Sequence, residues 1–137
     1  MTPKIAIKIM LGLMIVVILF HLSIVVKLIP YNITWGGRLK NDSEMYVFEA
    51  ISITINLILS LALLIKGAYL KAIVPIKVVN AILWVFFFIF ALNTIGNIVA
   101  KTNFEKFFAI ITALSSYLIW VILKRGIVHS NNGRKCL

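Results

Sequence analysis

Acidic residues are scarce in this sequence, and the places where they do occur organise the rest. Only 4 of 137 residues are Asp or Glu, against 14 Lys or Arg, for a formal charge of +10. Cysteine is scarcer still. Cys136, next to the last residue, is the only one, which excludes a disulfide framework, a cysteine-rich metal site and paired-thiol redox chemistry. The 2 histidines, His21 and His129, are too few and too far apart to build a metal centre, so no metal and no cofactor is expected. A P-loop, a Ser-His-Asp order and a metal-spaced ligand cluster are all missing. Enzymatic chemistry therefore has little to stand on, and the reading leans away from an enzyme.

Long uncharged runs make up the rest. Hydrophobic residues are 62% of the chain and the mean hydropathy is +1.07. A soluble domain this small buries only about 60–70% of its unfolded surface and could not hide so much. A bilayer can, at about 20 apolar residues per helical span. The alternating ten-residue segments of a β-barrel are absent. The basic residues flank the apolar runs, which is how membrane proteins fix topology, so nucleic acid is not an expected partner. The bilayer is.

The pattern predicts an all-α membrane protein with four spans, at about 5–29, 45–65, 76–100 and 104–123. Short connectors make them an up-down-up-down bundle over residues 1–126. Residues 127–137 form a basic cytoplasmic tail, of which 130–137 is expected to lack fixed structure. The first run is too long for a signal peptide and lacks a small-residue cleavage site; Pro30 stops it. Asp42 or Ser43 is placed to cap span 2, and Thr102 with Glu105 fits a capping box opening span 4. Counting Lys and Arg by side places nine on the face holding the termini and the 66–77 connector, with no acid there. The positive-inside rule then puts both termini in the cytoplasm and the 30–43 loop outside.

That loop carries the candidate chemistry. Arg38 can clamp a carboxylate or phosphate, or pair with Glu44 or Glu49, or meet a lipid headgroup. Gly36-Gly37 could present backbone amides to an anion, or simply make a turn that seats Trp35 at the interface. Glu49 stands one to two turns inside span 2, where an ionisable group is costly and often functional. Ser52, Asn56 and Ser60 continue its helix face, reading as interhelical glue, as does Asn80. His21 in span 1, Glu49 in span 2 and Asn93 in span 3 share one depth at about 1.5 Å per residue. They are therefore expected to meet in one pocket, with Asn97 on the Asn93 face. The candidate ligand-binding residues are Trp35, Arg38, Glu49, Asn93 and Asn97. The candidate acid–base pair is Glu49 with His21.

The residues Pro30-Tyr31, Trp35-Gly36-Gly37-Arg38-Leu39-Lys40, Glu44-Met45 and Phe48-Glu49 resemble a signature of small, uncharacterised four-span bacterial membrane proteins. The likeness continues into Leu92-Asn93-Thr94-Ile95-Gly96-Asn97 and covers about half the chain. It implies a bundle in a bacterial membrane and names no activity. The expectation is an outward-facing polar site under the 30–43 loop with a binding, accessory or transport-related role. A second copy or another membrane protein is the candidate partner. The alternative is a membrane-embedded enzyme acting on a lipid-like or small polar substrate through Glu49 and His21.

Overall fold

The computed structural model describes the backbone of residues 1–135 and side-chain surroundings as far as Lys124, Gly36 excepted. Cys136 and the side chains of Arg125, His129, Arg134 and Lys135 lie outside the described residues. Four helices follow one another: α1 Pro3–Val25, α2 Asp42–Lys66, α3 Ile76–Ile98 and α4 Asn103–Lys135. No strand occurs among the described residues. At 1.5 Å per residue, helices of 23 to 25 residues are about 35 Å long, enough for a hydrocarbon core of about 30 Å. All four are long and apolar enough to cross a membrane, and the fold is an all-α bundle.

Each boundary has a local cause. Thr2 caps α1 by accepting the Ile5 N–H, with Pro3 opening the helix where no donor is needed. Asn41 caps α2, one residue before Asp42 and two before Ser43. Its backbone is extended, and its Oδ1 accepts the Glu44 N–H at 2.9 Å while Glu44 Oε2 accepts the Lys40 N–H. Thr102 caps α4 as expected: its hydroxyl accepts the Glu105 N–H and donates to Glu105 Oε2 at 2.7 Å. Span 1 ends at Val25 and not near 29. Lys27 turns left-handed (φ 63°), so its N–H returns to Ile24 O and that of Leu28 to Ser23 O. Ala68 (φ 61°) closes α2 in the same way, through Ile65 O and Leu64 O. At the far end α4 remains helical to Lys135, where the sequence had suggested a tail without fixed structure.

The bundle is tightest at the end where the chain starts. Met10 and Met14 of α1, Leu59 and Leu63 of α2, Leu83 of α3 and Leu118, Ile119 and Ile122 of α4 form its core. α3 packs chiefly on α4, less on α2 and least on α1, and its buried residues Val79, Leu83 and Phe86 all lie in its first half. Farther along, α3 is tied to α4 by Thr94 Oγ1 donating to Thr112 Oγ1 at 2.9 Å and by Ser116 Oγ reaching Phe87 O. The polar row on α2 does not bridge helices: Ser52, Asn56 and Ser60 each donate to the carbonyl four residues back. Asn80 does bridge, accepting from Lys66 Nζ at 2.6 Å.

Candidate functional site

The loop between α1 and α2 is a folded cover. Two single-turn 3₁₀ segments, Tyr31–Ile33 and Trp35–Gly37, are joined through Thr34, which is buried and donates its hydroxyl to Tyr31 O. Leu39 plugs the cover into a small apolar cluster with Ile24 and Met45, flanked by Phe20, Ile29 and Tyr31. Outside it Lys27 Nζ donates to Asp42 Oδ2 at 2.5 Å, and that carboxylate holds the Lys27 ammonium above its ordinary pKa.

Under this cover sits Glu49, the eighth residue of α2 and about 10 Å along it. It is 0% exposed. Its two oxygens are both taken. Oε2 lies 2.5 Å from His21 Nδ1 of α1, and Oε1 accepts the Trp35 indole N–H at 3.0 Å. Trp35 reaches it only by adopting φ 55°, with Gly37 at φ 70° two residues on. A left-handed conformation is unfavourable by about 1–2 kcal/mol for a residue with a Cβ, and it is an outlier for a bulky side chain. Its indole also packs on Phe48, ring centroids 5.0 Å apart. The His21 ring meets Phe20 edge-on, and Phe20 in turn touches Phe104 and Phe108 of α4. Three consecutive elements, α1, the cover and α2, thus converge on one carboxyl group.

No family model, curated protein or solved structure matches the chain.

The electrostatics follow from the burial. A lone carboxylate within a membrane span is costly. Glu49 is not alone: His21 Nδ1 lies 2.5 Å from Oε2, and the Trp35 indole N–H serves Oε1.

The remaining candidates fall elsewhere. Asn93 does not join His21 and Glu49. It is exposed on α3 and forms no hydrogen bond to either. Asn97 is partly buried on the same helix and bonds neither residue. Arg38 is exposed and forms no ion pair with Glu44 or Glu49, whose oxygens serve Lys40 N–H, His21 and Trp35. Of the Gly36-Gly37 amides offered as an anion cradle, that of Gly37 is bonded to Thr34 O. Among the described residues no group of three His, Cys, Asp or Glu side chains comes together to hold a metal. Phe20, Phe104 and Phe108 were missed. The only trace of them in the sequence is the four-residue spacing of Phe104 and Phe108 and the adjacency of Phe20 to His21.

Proposed function

We propose that this chain is a small integral protein of the bacterial cytoplasmic membrane, with both termini in the cytoplasm, that binds a small polar ligand at an outward-facing site under the 30–43 loop. One observation carries the reading: a fully buried carboxyl group on α2, Glu49, bonded at once by a histidine of another helix and by a tryptophan of the covering loop. A structural residue in this position would normally be apolar, since an apolar side chain fills a membrane helix interface without a desolvation cost. The strained Trp35 supports the same reading, because backbone outliers that are held in place cluster at ligand clamps and switches. Opening the loop would withdraw the indole and uncover the carboxyl group, so ligand entry and loop movement are one event. The role is that of a binding, accessory or transport-related protein.

The enzymatic alternative rests on the short His21–Glu49 contact, which lies within the reach of an acid–base pair. Native mass spectrometry of protein released from its own membrane separates the two. A small molecule bound to the wild type, retained by Glu49→Gln through hydrogen bonding and lost in Trp35→Ala, is the expected result. Turnover in a metabolite extract that Glu49→Gln abolishes would favour the enzyme. A wild type with no bound mass and no turnover would remove the site reading altogether.

A further inference from the structure

The opposite end of the bundle holds a cation with no carboxylate side chain beside it among the described residues. Lys66 closes α2, is partly buried, and donates through Nζ to Asn80 Oδ1 of α3 at 2.6 Å. An amide oxygen orients an ammonium group but brings no negative charge, and one acceptor leaves two of its three N–H donors to be served otherwise. No carboxylate side chain of the chain can serve them. All four acids lie at the other end: Asp42, Glu44 and Glu49 in the first turns of α2, and Glu105 in the first turn of α4. Around Lys66 the sequence adds only more cation, with Lys71 and Lys77 in and just after the connector and Lys4 and Lys8 on the first turns of α1. The α1 end is close by, since a Cβ on Gly67 would stand 3.3 Å from Ile7 Cγ2.

The seam that Lys66 bridges, between α2 and α3, is also the loosest between consecutive helices. A partly buried, oriented ammonium at a membrane boundary, in a seam between helices and surrounded by lysines, fits an anionic headgroup. We infer that the α2–α3 seam at Lys66 binds a phosphate group, supplied by an anionic phospholipid of the adjoining leaflet. Lys66 is the anchoring charge and Asn80 sets its direction; Lys71 and Lys77 contribute long-range attraction only. This site is independent of the Glu49 site and of the topology assigned to the chain.

Nanodiscs of phosphatidylcholine alone, and of phosphatidylcholine mixed with phosphatidylglycerol, test it through the unfolding temperature and native mass spectra. The wild type should retain phosphatidylglycerol and unfold several degrees higher in the mixed discs. A hydrogen bond to a charged group contributes about 1.5–3 kcal/mol, so Lys66→Gln should weaken retention at least tenfold. Lys71→Gln, at an exposed lysine of the same patch, removes only the diffuse attraction of one basic residue, about 1 kcal/mol, and should weaken it no more than about fivefold. Asn80→Ser keeps the charge and withdraws the oriented acceptor; an intermediate loss is expected, and this variant decides the matter if Lys66→Gln does not fold. Inorganic phosphate added to phosphatidylcholine discs distinguishes the source. A Lys66-dependent rise there would keep the site and reassign it to a free anion. Equal losses for Lys66→Gln and Lys71→Gln, or retention indifferent to both Lys66→Gln and Asn80→Ser, would overturn the inference in favour of diffuse surface charge.

Discussion

The His21–Glu49 contact yields the sharpest energetic prediction. Replacing His21 with Phe keeps a ring beside Phe20 and removes the partner of Glu49 Oε2. The carboxylate is then left in a span with only the Trp35 indole. Breaking a buried pair from one side costs about 3–5 kcal/mol. The His21 ring is 15% exposed, so some screening reaches it, and a value near 3 kcal/mol is appropriate. Glu49→Gln should cost less, about 1–2 kcal/mol, because the amide keeps an acceptor for one donor while losing the charge. In the double variant no charge remains to be stranded, so its cost should fall short of the sum by about 2 kcal/mol. The assay is a double-mutant cycle on unfolding in mixed detergent micelles, followed by far-ultraviolet circular dichroism. A coupling below about 0.5 kcal/mol would refute the reasoning, since residues without a shared contact are additive to that level.

Other consequences are simpler. Ala68 sits at φ 61°, so Ala68→Gly should raise stability by about 1 kcal/mol, the relief of left-handed strain partly offset by a looser unfolded chain; an unchanged or lower melting temperature would count against the helix-end geometry. Thr102→Ala removes the α4 cap and should lower stability by about 1 kcal/mol, whereas Thr102→Ser should not, as thermal unfolding would record. Lys27→Ala removes an exposed pair whose side chains are 54% and 49% accessible; its unfolding midpoint should match the wild type at high salt. For topology, a membrane-impermeant maleimide should label Cys136 only after cells are lysed. Labelling of intact cells would reverse the proposed orientation.

The sequence was informative about depth and silent about rotation. Four uncharged runs marked four spans because hydrocarbon imposes one length on every crossing. His21 and Glu49 were legible as a pair for the same reason, each lying about two turns or less from the same end of adjacent helices. Asn93 shares their depth yet faces away. Apolar residues lie on every side of α3, so its pattern did not reveal which face would meet α2. The helix ends were misjudged where backbone geometry overrode residue type. Lys27 and Ala68 take the left-handed conformation that the sequence would assign to glycine, so α1 stops four residues before Pro30's neighbour Ile29. Trp35 is the same case at the site itself: nothing in a Trp-Gly-Gly string announces that the tryptophan will turn left-handed.

The Trp35–Glu49 hydrogen bond also makes the protein its own optical probe. The other two tryptophans, Trp84 and Trp120, lie in the opposite half of the bundle, the latter beneath the Lys124 ammonium at 4.7 Å. Trp35 alone of the three donates its indole N–H to a carboxyl group, and it is 39% exposed. Its emission should therefore shift and become quencher-accessible when the cover lifts, while the other two report the bilayer unchanged. With Trp84 and Trp120 replaced by Phe, one fluorophore would follow loop opening in real time with no label attached.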